Sequence, residues 1–121
     1  MKQVVATIAN TLYFAQKRDM QFIHMLHLTE MYRTQENWNE KADKTIEEHF
    51  NFLKNLYDSG AIKYVGKTDL EISDIHNTGI VILEADSLLT AKELVSKDPA
   101  VISGIMSFEI FPFHTVMPWK N

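Results

Sequence analysis

From Ile46 to Tyr57 the chain repeats an apolar or aromatic side chain every three or four positions. Ile46, His49, Phe50, Leu53, Leu56 and Tyr57 share one side of a helix, and Glu47, Glu48, Asn51, Asn55 and Asp58 share the other. His49 therefore points inward with the apolar stripe. Asp58-Ser59-Gly60 supplies the helix stop, because glycine tolerates the left-handed conformation that closes a C-terminus, and Ala61 to Lys67 follows as a short strand. Upstream, Gln21 to Thr29 is nearly all apolar, the mark of a strand covered on both faces. His24 and His27 lie an odd number of residues apart on it and face opposite sides of the sheet, each read as a hydrogen-bonded core or interface histidine. The polar segment Tyr32 to Lys44 leads into the helix as a loop. Asn37 or Asn39 is its N-cap, and Trp38 and Ala42 extend the inward stripe backwards.

Downstream, Asp69 to Thr78 is polar and turn-forming, and Gly79 to Ala85 is a β-branched strand that makes a long-looped hairpin with the one before it. Asp86-Ser87 caps a second helix whose buried stripe is Leu88, Ala91, Leu94 and Val95. Asp98 falls three residues after Val95 and four after Leu94, so it prolongs that stripe, and Pro99 makes it the boundary residue. Ala100 to Gly104 is a turn or helical scrap. Met106 to Phe113 is the last strand, with Pro112 suited to an edge or a strand end. The order strand, helix, strand, strand, helix, strand predicts an α+β fold of the ferredoxin-like type, a four-stranded antiparallel sheet with both helices on one face. Antiparallel helices would bring the first half of one beside the last turn of the other, and so carry His49 to Asp98. A carboxylate at a helix C-terminus faces the negative end of the helix dipole, which a nearby histidine would offset.

Composition narrows the function classes. At 121 residues the chain is one domain, able to bury roughly two thirds of its unfolded surface. A formal charge of −4 with acids and bases mixed gives no basic stripe, which argues against nucleic acid and anionic membranes as partners. No run is long enough to span a membrane. The lack of cysteine rules out disulfides and thiolate metal sites and fits a reducing, cytoplasmic setting. Residues 1–20 read as an N-terminal extension before the domain at 21–121. A signal peptide in residues 1–15 is the alternative, weakened by Thr7, Asn10 and Thr11 and by the large residues in Tyr13-Phe14-Ala15.

The sequence also resembles a family, the YciI-like proteins of the dimeric α/β-barrel group, over about Phe22 to Pro112. The resemblance is carried by His49 with Phe52-Leu53-Lys54-Asn55-Leu56, by Gly60-Ala61-Ile62 leading to Val65-Gly66, and by the strand Gly79 to Ala85. Lys97-Asp98-Pro99-Ala100-Val101, Gly104 and Glu109-Ile110-Phe111-Pro112 complete it. It implies a ferredoxin-like protomer, a homodimer or higher assembly built through the open sheet face, and a cleft with a catalytic His/Asp pair, here His49 and Asp98. The chain departs from the family where Gly66-Lys67-Thr68 stands in place of a glycine followed by proline, and where Ala100 replaces a frequent aromatic. Lys67 would put a cation at the cleft mouth, suited to an anionic or phenolate-like substrate, or else is a solvated strand end. Ser103 and His114 are expected near the same region as supporting substrate contacts.

Three classes of function follow. In the first, His49 moves a proton while Asp98 fixes its tautomer, and the resemblance implies elimination (dehydrochlorination among the cases) or isomerisation of a small cyclic or aromatic-derived compound with no cofactor. In the second, the same cleft binds a small molecule without turning it over. The third, a metal site among His24, His27, His49, His76 and His114, is the weakest, since no two of these are spaced i, i+4 on a helix.

Overall fold

The computed structural model describes residues 20–118. The expected N-terminal extension and the export alternative lie outside the described residues, except that Met20 opens the first strand. The elements are β1 (Met20–Leu28), α1 (Glu40–Asp58), β2 (Ile62–Lys67), β3 (Gly79–Ala85), α2 (Leu88–Val95), a one-turn α3 (Pro99–Ile102) and β4 (Met106–Phe113). They form an antiparallel sheet in the order β2-β3-β1-β4, the ferredoxin-like arrangement that the order of elements predicts. β4 is an edge strand, where Pro112 is tolerated.

Alternation along β1 buries Phe22, His24 and Leu26 on the helix side. In register with them stand Leu83, Val81 and Gly79 of β3 and Pro112, Ile110 and Phe108 of β4. Leu53 of α1 and Ala91 and Val95 of α2 close over this face to complete the core. Phe22 and Leu83 are fully buried, each contributing on the order of 1.5–3 kcal/mol through lost apolar exposure.

Local chemistry sets where the helices begin and end. Asn39, not Asn37, is the N-cap of α1 and accepts from Ala42 N–H at 2.9 Å. Asn37 instead closes a short helical turn by donating to Met31 O at 2.7 Å, so the segment before α1 is two turns of tight helix over Glu30–Arg33 and Gln35–Asn37 and not plain loop. At the other end Gly60 has φ of +91°, with Gly60 N–H donating to Tyr57 O and Ala61 N–H to Leu56 O, which satisfies carbonyls that a straight helix would leave bare.

Three expectations change. The buried line of α1 is only Ala42, His49 and Leu53, while Phe50 and Tyr57 are exposed because the helix rides over β2 without covering it. Trp38 precedes the helix, half-buried, its Nε1–H donating to Tyr32 O at 2.9 Å. Asp98 does not end α2, which stops at Val95. With φ −62° and ψ 125° it is the N-cap of α3, and Pro99 fills the first helical position. The pre-proline restriction ejects Asp98 from the helical region, and proline then starts the next turn. The dipole argument reverses with it, because the carboxylate sits at the favourable, positive end of a helical turn and accepts from Ala100 N–H at 2.8 Å.

Candidate functional site

His49 and Asp98, 49 residues apart, meet inside the protein. His49 Nδ1 lies 2.7 Å from Asp98 Oδ2 and 2.9 Å from Oδ1. Both are buried, His49 at 3% and Asp98 at 0% relative exposure. Because Asp98 already accepts a backbone N–H, the pair is completed by Nδ1–H donating to the carboxylate, which fixes the tautomer with its lone pair on Nε2.

His49 also lines a cavity of about 300 Å³ between α1 and the β2–β3 hairpin. The walls are mostly apolar: Leu26 of β1, Ile46, Phe50 and Leu53 of α1, Val65 of β2 and Val81 of β3, with Trp38 at the side. With Nδ1 committed to Asp98, Nε2 is the ring nitrogen left for a molecule held there. A small hydrophobic chamber with one oriented base can exclude water from a proton transfer and bring base and substrate together.

Of the other residues singled out in the sequence, Lys67 lines this cavity from the end of β2 and donates to Thr68 O at 2.6 Å. Ser103 and His114 do not line it. Ser103 closes α3 and turns its hydroxyl to Ala100 O at 3.2 Å. His114 follows the end of β4, which pairs with Gln21, whereas the cavity opens at the other end of β1, by Leu28 and Met106. Among the described residues no group of three or more His, Asp and Glu side chains is set to hold a metal ion. His27 lies 3.6 Å from Glu109 on the opposite sheet face, and His76 sits on the exposed hairpin loop against Asp74.

Two features escape the sequence reading. Ile72, Asn77 and Thr78 of the β2–β3 connection line the cavity, and the only signal was the length of that connection, greater than hairpins ordinarily need. His24, expected to be hydrogen-bonded, is 1% exposed and neither ring nitrogen has a partner among the described residues. It meets Phe108 edge to face at 5.1 Å. Burial pushes its imidazole down to about 4, with the Asp98 carboxylate pulling upward and the His49 ring adding to the fall.

Comparison with known proteins agrees with this architecture. No curated protein matches the chain in sequence. Among solved structures it resembles the 5-chloro-2-hydroxyhydroquinone dehydrochlorinase of Burkholderia phenoliruptrix AC1100, a complex with 2,5-dihydroxybenzoquinone. The TM-score is 0.58 at 17% identity, covering 78% of this chain and 94% of that one. The family described as the YCII-related domain matches residues 25–114, which spans all but the first residues of the sheet and carries both His49 and Asp98. The chain belongs to that family.

Proposed function

We propose that this chain is a small-molecule enzyme in which His49 transfers a proton and Asp98 orients it. The single observation that carries the reading is that His49, on the wall of an apolar cavity, is held at 2.7 Å by Asp98 buried behind it, with the far nitrogen of the imidazole left over for a ligand. Nε2 takes a proton from a small cyclic or aromatic-derived substrate, and the electron pair left behind forms the new double bond. In an elimination a leaving group such as chloride departs with its bonding pair, and the imidazolium, steadied by the Asp98 carboxylate, later gives its proton to water. In an isomerisation the same proton returns to another atom of the substrate. Both steps balance without an oxidant or reductant. The dehydrochlorinase resembled in fold favours elimination, and its dihydroxybenzoquinone ligand is of a size such a cavity admits.

The working unit is proposed to be a homodimer in the cytoplasm. Among the described residues no helix is long and apolar enough to cross a membrane. The catalytic reading is tested on a panel of chlorinated hydroquinones, chlorophenols and small lactones, comparing the wild type with His49→Gln. A positioned acid/base is worth about 10²- to 10⁴-fold, so turnover should fall by that much. Equal turnover in the two proteins removes histidine catalysis, and tight ligand binding with no turnover in the wild type favours the alternative, a non-catalytic binding module.

A further inference from the structure

The hairpin side of the cavity carries its own polar groups, and they are tied to one another. Thr68 N–H donates to Thr78 O at 2.9 Å, and Thr78 N–H donates back to Thr68 Oγ1 at 2.9 Å. Having accepted there, the Thr68 hydroxyl has its own proton to give. Asn77 Oδ1 is 3.1 Å away and the Thr78 carbonyl is at 3.5 Å, so the amide oxygen of Asn77 is the better acceptor. A primary amide held by its oxygen turns its NH₂ the other way. Lys67 Nζ uses one proton on Thr68 O and keeps two, while Thr78 directs its hydroxyl proton to His76 O at 2.8 Å. The hairpin therefore has Lys67 and Asn77 as the residues with N–H groups to offer a ligand, in a chamber whose other walls are largely hydrocarbon.

We propose that Asn77 is a specificity-determining residue of this cavity. Its amide, fixed by Thr68, works beside the Lys67 ammonium to select small flat ligands that carry an anionic oxygen, a phenolate or an enolate, at the hairpin end while the rest of the molecule reaches His49. Lysine alone would attract any anion, since an ammonium on a flexible stem is a point charge. The rigid amide adds direction, and hydrogen bonds to a charged oxygen are about twice as strong as neutral ones. The inference rests on the reading of this cavity as the ligand site, and it goes beyond that reading in naming what the far wall recognises.

Calorimetric titration of the full chain with 4-nitrophenolate and with 4-nitrotoluene, which has the same outline and no oxyanion, tests it. Asn77→Asp keeps the shape and reverses the character of the group, so 4-nitrophenolate should bind roughly ten- to a hundredfold more weakly while 4-nitrotoluene changes little. Thr68→Val, which frees the amide to rotate, should give a smaller loss in the same direction, and Asn77→Leu supplies the answer if the aspartate variant does not fold. Repeating the titrations in a His49→Gln background separates this proposal from the catalytic one, because the preference for the oxyanion should persist where no proton can be taken. A wild type that does not prefer the phenolate, or an Asn77 variant that loses both probes equally or neither, overturns the proposal.

Discussion

His24, His49 and Asp98 are the buried polar side chains of the described chain, and the fold satisfies two of them and leaves the third. A buried imidazole without a protein partner is destabilising by about 1–3 kcal/mol relative to a paired one. It also makes folding compete with protonation. Unfolded, His24 titrates near its ordinary 6.5, and folded it does so at about 4, so the folded state binds fewer protons. The stability this represents is fully present above about pH 6.5 and drains away as pH falls towards 4, reaching a loss of about 3 kcal/mol. The charged and titratable groups that act on it are Asp98 and His49, with Phe108 against its edge. His24→Phe should raise stability at neutral pH by about 1 kcal/mol and flatten its decline on acidification. Urea midpoints of both proteins at about pH 7 and about pH 4.5 check this. Parallel declines would show that His24 is not the group being titrated.

At the scale of elements, the segment Asp98-Pro99 shows how far the sequence could be followed. Periodicity placed the carboxylate on the inward line of the second helix, and the meeting with His49 followed from topology. The helix in fact stops at Val95, and Asp98 reaches the same spot as the cap of a new turn. Position was legible because an antiparallel helix pair tolerates an error of one turn, whereas the capping role depends on a backbone angle that Pro99 sets and that a 3.6-residue stripe does not encode. The same limit explains Phe50 and Tyr57. Their spacing marks a face of α1, but how much of that face the sheet covers depends on where α1 crosses β2. Asn77 lay further out of reach, since it enters the cavity through a hydrogen bond to Thr68 in a connection without periodicity. Asp98 serves α3 and His49 together, and two substitutions separate the duties. Asp98→Asn keeps a side-chain oxygen for Ala100 N–H and should fold with nearly wild-type stability, yet it no longer holds His49 with a charge, so under the proposed catalysis turnover should fall about a thousandfold or more. Asp98→Ala loses the cap and orphans a buried imidazole, at about 2–4 kcal/mol together. Denaturation and turnover measured side by side decide the matter, and an asparagine variant as unstable as the alanine one would mean that the charge itself holds the fold.

For the whole molecule, the deciding feature is the sheet face that carries no helix. Ile23 stands between Ile82 and Phe111, Met25 is paired with Ile80, and Tyr64 and Phe113 extend the same face towards its edges. Tyr64 is 59% exposed and Phe111 47%, so a protomer alone would present a broad apolar surface to water. The two longer helices, α1 and α2, lie on the other side, and a second copy of the chain applied face to face would cover this one with matching hydrocarbon. His27 and Glu109, 3.6 Å apart on the same face, would supply a polar patch within it to orient two such copies. Light scattering should therefore give twice the chain mass. Phe111→Lys is the informative variant, because Phe111 is already 47% exposed in a lone chain and the change there should move stability by only about 0.5 kcal/mol. In a dimer the same ammonium would be buried without a partner, and the scattering mass should fall to that of one chain at micromolar concentration while the circular dichroism spectrum is kept. A wild-type mass equal to one chain would sink the dimer, and a lysine variant that remains double would move the interface to another face.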